Sequence, residues 1–480
     1  MFGGFDLKLF AKDPVFYGKV FKIALPIAAQ SLITIGVNML DTIMVGKLGD
    51  GALSAVSQAN SFISIYQIFC MGLGMGASVL ISRYWGIKSL AKKDGKFIVD
   101  TKDEEEKASR ALKQTVSIML RFTFLLATLF AIATLLIPGK IMETYTKVPE
   151  IIGMGVAYFK YSIVTFFFLG LSLTSTIALR SVGQALLPLL VSIGAFFINL
   201  CANYVFIFGK FGAPKMGVAG AALGTLLSRL FEAAAILIYL FFIDKRINFK
   251  IKDLFMDVKS IKNEYIKVCI PVLISDGILA IGNNSVAQII GHVGREMSDA
   301  NAITSVTQTL STVLISGVAQ AGAIVTGHTL GMGEKEKTLR QGWLFLGLGL
   351  FLGTCSAVFI LLSGNPIIST YTSLSESTRQ TAGYLMLSIS IIVVFQATNS
   401  IMTKGVLRGG GDTKVLMFAD NIFFWVIALP LGLLAAFVFK LPAFWIYLCL
   451  KSDQIFKTFW CVIRLRSGKW IKKVSTVEGA

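Results

Sequence analysis

Four side chains in the first apolar run, Gln30, Thr34, Asn38 and Asp41, fall at spacings of four, four and three, which places them on one face of a helix. An ionisable group in hydrocarbon costs about 2.5 to 3.5 kcal/mol even on the most lenient insertion scale, so this face must look into the interior of a bundle. A carboxylate with amide neighbours has two obvious uses there: it can take up a proton, or it can hold Na⁺ through several oxygens. A hydrogen-bonded structural acid is the plainer alternative. The seventh run carries a matching polar stripe, Asp276, Asn283, Asn284 and Gln288, and the fifth adds Asn199 and Asn203 one turn apart. Asp41 lies five residues before Gly46 and Asn203 six before Gly209, so helices running the same way bring them to nearly the same depth.

The elements that position these groups follow from composition. The 480 residues are 55% hydrophobic and 15% charged, with a mean hydropathy of +0.72, whereas an average soluble domain carries about 25% charged residues. Apolar runs predict helices near 20–46, 56–82, 114–138, 151–179, 187–209, 217–243, 268–290, 300–330, 341–362, 381–403, 415–439 and 442–463. The net charge of +18 does not point to nucleic acid, because the basic residues cluster at the ends of the runs. Placing both termini in the cytoplasm puts 32 Lys and Arg on that side and eight on the other, as the positive-inside rule requires. Five others, Arg121, Lys160, Arg229, Lys451 and Lys457, lie inside or at the edge of a run. The six cysteines show no CxxC spacing and read as buried packers, and two histidines are too few for a His-built metal site. The leader MFGGFDLKLFAKDPVFYGK has no signal-peptide pattern and is expected to remain in the cytoplasm.

The two halves repeat. An offset of 245 aligns Lys22 with Lys267, Pro26 with Pro271, Asn38 with Asn283, Gly46 with Gly291 and Gly72 with Gly317, and LRSVGQ (179–184) matches LRGGGD (407–412) at 228. The difference places an insertion in the charged stretch AKKDGKFIVDTKDEEEK, which reads as a solvated loop. Six helices per repeat is an even number, so the repeats must be related by an axis along the membrane normal, an arrangement used by alternating-access transporters. The expected fold is an all-α membrane protein of 12 transmembrane helices in two six-helix lobes, with an N-lobe over 1–245, a linker over 246–267 and a C-lobe over 268–480. Arg229 with Glu232, and Lys457 with Asp453, are spaced to pair along their own helices. Asp420, near the cytoplasmic end of its helix, is expected to contact the loops. The glycines of GLGMG (72–76) and GVAGAALG (217–224) suit close helix approach or a bend. No GxxxxGK[ST] stretch is present, so uphill transport would draw on a gradient.

LPIAAQSLITIGVNMLDTIMVGKLG, the duplicated LRxxG elements with GGDTK (410–414), NxxxN before YVFIFG (204–209), and SGKWIKK (467–473) together resemble the multidrug and toxic compound extrusion (MATE) family, over nearly the whole chain. The resemblance implies a cation-coupled antiporter that exports bulky organic cations through a central cavity. By position Asp41 matches the family's first-helix acid and Asn199 the Asn of its fifth-helix Asn-x-x-x-Asp element, while Asp276 stands near a seventh-helix Glu of many members. Asn203 replaces an Asp, and FQATNSIMTKGVLRG lacks the tenth-helix acid of some Na⁺-driven relatives, which leaves the coupling ion as H⁺ or Na⁺.

The expected function is export of cationic, amphipathic drugs by H⁺ or Na⁺ antiport, without enzymatic activity or a resident cofactor. Asp41, Asn199 and Asn203 form the ion-coupling set, with a possible Na⁺ site among them. Gln30, Thr34, Asn38, Asp276, Asn283, Asn284 and Gln288 line the substrate cavity. The expected setting is the cell (inner) membrane, with the lipid bilayer and organic cations as partners, no nucleic acid, and a monomer as the working unit. A flippase for lipid-linked oligosaccharide is the alternative, but an anionic cargo would need unpaired cations, and Arg229 and Lys457 have acids one turn away. A non-transporting scaffold would leave the two polar stripes without a purpose.

Overall fold

The computed structural model describes residues 13–91, 99–371 and 375–472. Most of the leader, residues 92–98 of the charged insertion and Lys473 of the closing motif lie outside them. Among the described residues eleven helical stretches are long and apolar enough to cross a membrane. The first repeat contains α1 (Pro14–Gly46), α2 (Asp50–Ala91), α3 (Val99–Leu136), a short α4 (Pro138–Glu143), α5 (Pro149–Ser181), α6 (Leu186–Phe208) and α7 (Val218–Ile238). The second contains α8 (Lys259–Val293), α9 (Arg295–Gly331), α10 (Lys335–Thr370), α11 (Glu376–Ser400), α12 (Thr413–Asn421), α13 (Leu429–Leu433), α14 (Ala443–Leu450) and α15 (Asp453–Ser467). The outward faces remain apolar, with Leu136, Phe242, Phe351, Leu362, Val426 and Ile463 exposed, as a bundle dissolved in lipid requires.

Three expectations are corrected. The twelfth span, read as one helix over 442–463, is broken between α14 and α15, where Lys451 and Ser452 form a turn. The break lets α15 begin at Asp453, beside Lys457, so that charged groups at this depth face protein. Second, the loops read over 83–113 and 245–267 are much shorter. The α2 helix runs to Ala91, α3 begins at Val99 and α8 begins at Lys259, because Lys, Glu and Ala continue a helix as readily in water as in lipid. Of the linker read over 246–267, the last residues belong to α8, and the part before Lys259 holds a 3₁₀ turn, Ile251–Phe255. Third, Asp420 does not turn to the loops but is buried against Ser275 and Lys457.

Packing divides the chain into two compact units, Ala29–Cys269 and residues before Ala29 together with those after Cys269. The division at 245 and 268 read from sequence therefore does not coincide with the packing, because the opening segment of each repeat's first helix belongs to the other unit. In the unit containing the second repeat, Phe16 meets Phe345 edge-on with ring centroids 4.9 Å apart, and Lys19 lies 3.0 Å from His328. Here Gly317 leaves room for the Ala24 carbonyl, which an added Cβ would approach to 2.5 Å.

The LRxxG elements end α5 and the π-helical stretch Ile401–Leu407 that continues α11 in the same way. Gly183 and Gly411 take left-handed φ of 78° and 86°, a backbone that Gly adopts without penalty. The next residue ties each turn to the end of the repeat: Gln184 donates to Asp244, just past the repeat's last helix, at 3.0 Å, and Asp412 accepts two hydrogen bonds from Arg464 in the last turn of α15 at 2.7 and 2.9 Å. Trp470 of the closing motif is fully buried on Gly410, where a Cβ would collide with its ring.

Close glycine contacts also hold α10 to α11. A Cβ at Gly353 would stand 2.7 Å from Val394 Cα and 2.9 Å from its carbonyl oxygen, both backbone atoms that cannot swing aside. Gly353→Val is expected to destabilise the protein by about 1–3 kcal/mol through overpacking, seen as a lower Tm in detergent; a smaller residue change elsewhere on the lipid-facing side of α10, Val358→Ala, should leave Tm nearly unchanged.

Candidate ion-coupling and substrate site

The first unit to consider, Ala29–Cys269, holds Asp41 against α6. Asn203 Nδ2 donates to Asp41 Oδ1 at 2.5 Å and to Asn199 Oδ1 at 3.1 Å. Asn203 is wholly buried and Asn199 nearly so. Among the described residues Asn203 Oδ1 has no hydrogen-bond partner, and it lies where a Cβ on Gly224 would be. The glycine of GVAGAALG is thus what allows α7 to close over this amide. The helix spacing NxxxN places both amides on one face of α6, and the final turn of α1 brings the acid to them.

One turn away lies a small, partly open cavity of about 30 Å³, lined by Thr34 and Val37 of α1, Ser192 and Asn199 of α6, and Ser228, Arg229 and Glu232 of α7 among others. Arg229 donates to Glu232 Oε2 at 2.7 Å, the pairing their spacing predicts. Gln30 donates to Ser192 at 2.6 Å and accepts from Arg180, the Arg of the LRSVG element. Thr34 turns its hydroxyl back to the Gln30 carbonyl at 3.0 Å. Asn38 is exposed, and no hydrogen bond joins its side chain to Asp41 among the described residues. The structure therefore gathers Asp41, Asn199 and Asn203, sets Thr34 on the chamber, ties Gln30 to Arg180, and leaves Asn38 apart.

In the other unit the stripe on α8 is differently occupied. Arg408 clamps Asp276 with bonds of 3.0 and 3.3 Å, a two-pronged pair in which the guanidinium is almost fully buried. Lys451, at the break between α14 and α15, reaches Asn283 Oδ1 at 3.3 Å. Asn284 and Gln288 are exposed. Lys457 bridges Asp420 at 3.3 Å and Asp453 at 3.0 Å, and Ser275 donates to Asp420 at 3.1 Å.

The offsets of 245 and 228 relate these two polar centres. Gln30 corresponds to Ser275, Ser192 to Asp420, Arg180 to Arg408 and Arg229 to Lys457. The bond from the first helix to the fifth, Gln30 to Ser192, recurs as Ser275 to Asp420. The coupling set does not recur: Val286, Ile427 and Leu431 stand at the positions of Asp41, Asn199 and Asn203. Arg180 was legible in principle, since it is the Arg of a duplicated element. The approach of Lys457 to Asp420 was not, because they lie on different helices.

Eleven spans with a twelfth broken one, built from a tandem repeat with buried polar centres, define an all-α, multi-pass membrane transporter of two six-helix repeats. The family model described as MatE matches residues 26–93, 106–205 and 271–434, and the chain belongs to that family of efflux transporters. The chain is 29% identical over 469 residues to a protein of Thermotoga maritima named "Probable multidrug resistance protein NorM", covering 95% of this chain and 93% of that one. It is 22% identical to the "Uncharacterized transporter YisQ" of Bacillus subtilis, over 95% of each chain. Among solved structures, one described as the outward-facing conformation of a multidrug resistance MATE family transporter superposes with a TM-score of 0.81 at 18% identity, covering 99% of this chain and 100% of that one. A transporter from Pyrococcus furiosus, described as having a binding pocket of reverse polarity, superposes with a TM-score of 0.80 at 19% identity, covering 98% and 100%.

Removing one member of the Arg408–Asp276 pair strands a buried charge. Arg408→Gln is expected to cost about 3–5 kcal/mol, and Asp276→Asn added to it should restore most of that loss, read as Tm in detergent.

Proposed function

We propose that the protein is an H⁺- or Na⁺-coupled antiporter exporting cationic, amphipathic compounds by alternating access, with Asp41 as the coupling carboxylate. One observation carries this reading. The acids well inside the spans are Asp41, Glu232, Asp276, Asp420 and Asp453, and among the described residues every one except Asp41 has an Arg or Lys within 4 Å. The hydrogen bond to Asp41 comes from a neutral amide. A carboxylate in a low-dielectric interior without a fixed counter-charge needs a mobile one, and a proton, a Na⁺ ion or an organic cation can supply it. Asn199 and Asn203 orient the acid and offer amide oxygens to Na⁺. The chamber polar groups and the exposed amides Asn38, Asn283, Asn284 and Gln288 suit the polar parts of a cargo. Asp276, held by Arg408, is less suited to bind an ion.

The names of the relatives support efflux of drugs as the activity, and the distribution of Lys and Arg supports an inner membrane setting with both termini in the cytoplasm. The test is uptake of a fluorescent organic cation into proteoliposomes with a proton gradient or a Na⁺ gradient imposed separately. One gradient should drive uptake by the wild type, and Asp41→Asn should abolish gradient-driven uptake while inserting normally. Unchanged uptake by Asp41→Asn would remove the coupling role. Failure of both gradients, with rescue of a strain lacking a lipid-linked sugar flippase, would favour the flippase instead.

A further inference from the structure

The lining of the chamber beside Asp41 is not repeated in the second half of the chain. The positions equivalent to Thr34, Ala195, Ser228 and Glu232 are Leu279, Phe423, Phe456 and Trp460, so large apolar side chains stand where the first repeat has small or polar ones. The rings of Phe423 and Trp460 approach to 6.4 Å. Two cations at equivalent positions therefore have opposite circumstances. Lys457 is held between two acids and is only 3% exposed. Arg229 has one acid, Glu232, is a quarter exposed, and borders open volume.

Arg229 also lies within electrostatic reach of Asp41 and of Tyr158, whose hydroxyl donates to Asn60 at 3.2 Å. The groups around it are Asp41 on α1, Tyr158 and Arg180 on α5, Ser192, Asn199 and Asn203 on α6, and Ser228 and Glu232 on α7. Arg180 is within electrostatic reach of Glu232, so Glu232 keeps a positive neighbour if Arg229 turns away.

We propose that Arg229 is an internal counter-cation for Asp41, pairing with Glu232 while Asp41 carries its ion and turning across the chamber toward Asp41 when that ion leaves. A bare carboxylate in this interior is costly, and a long, partly exposed guanidinium side chain beside a water-sized cavity removes the cost without a second ion from solution. Arg229 and the coupling ion then compete for one carboxylate, while Glu232 sets how strongly Arg229 competes. Arg229 and Glu232 are positioning residues in this scheme. The inference rests on Asp41 being the coupling acid.

The experiment measures, in proteoliposomes of the full chain, the ion concentration that gives half-maximal export of a fluorescent organic cation. Glu232→Gln frees Arg229 for Asp41 and should raise that concentration about tenfold, at the low end for a charge gained within 4–6 Å. Arg229→Gln combined with Glu232→Gln should return it to the wild-type value or below. Ala195→Leu, which fills the chamber and keeps every charge, should hold Arg229 on Glu232 and lower the concentration, so the idea is testable even if Glu232→Gln folds poorly. No shift in Glu232→Gln and Ala195→Leu, or a double variant displaced as far as Glu232→Gln alone, would overturn the proposal. If Asp41→Asn keeps full ion dependence, the coupling assignment itself fails. If Asp41→Asn loses it while the chamber variants match wild type, only the role of Arg229 falls.

Discussion

The cost of an unpaired charge in hydrocarbon governs the rest of this structure. It explains why Glu232, Asp276, Asp420 and Asp453 each meet an Arg or Lys. It also isolates Asp41. Asp41 meets a neutral amide instead, and among the described residues it is the one deep acid without an Arg or Lys within 4 Å. Such an acid is expensive as a structural element, since an amide in its place would serve packing equally well.

Gene duplication supplied two copies of one frame, and the same positions now serve different ends. Arg180 and Arg408 both close over the first helix of their repeat, and the Gln30–Ser192 bond recurs as Ser275–Asp420. What differs is filling. In the first repeat the positions around Asp41 hold amides, hydroxyls and empty volume. In the second they hold Val286, Ile427, Leu431, Phe423 and Trp460, and the charges that remain are locked in a triad around Lys457. The first repeat thus keeps a water-sized cavity and a single ion pair where the second keeps aromatic rings and a cation held by two acids. The broken twelfth span belongs to the same theme, because a turn at Lys451 and Ser452 lets Asp453 sit at a helix start and reach Lys457.

Much of this was determined by the sequence alone. Runs of some 20 apolar residues read as spans, since lipid offers backbone groups no hydrogen bonds, and the offsets of 245 and 228 mark two copies of one six-helix unit. The spacing of Gln30, Thr34, Asn38 and Asp41 puts them on one face, and NxxxN does the same for Asn199 and Asn203, because helical periodicity is local. The pairs Arg229–Glu232 and Lys457–Asp453 were legible for the same reason. The tertiary structure alone decided which members of a face share a contact. Asn38 stays apart while Gln30 binds Arg180, Asp276 is taken by Arg408, Asp420 turns to Lys457, and Gly224 makes space for Asn203. Each of these depends on the rotation and approach of two helices distant in sequence, which side-chain volumes and glycine contacts fix and which no periodicity within one helix encodes.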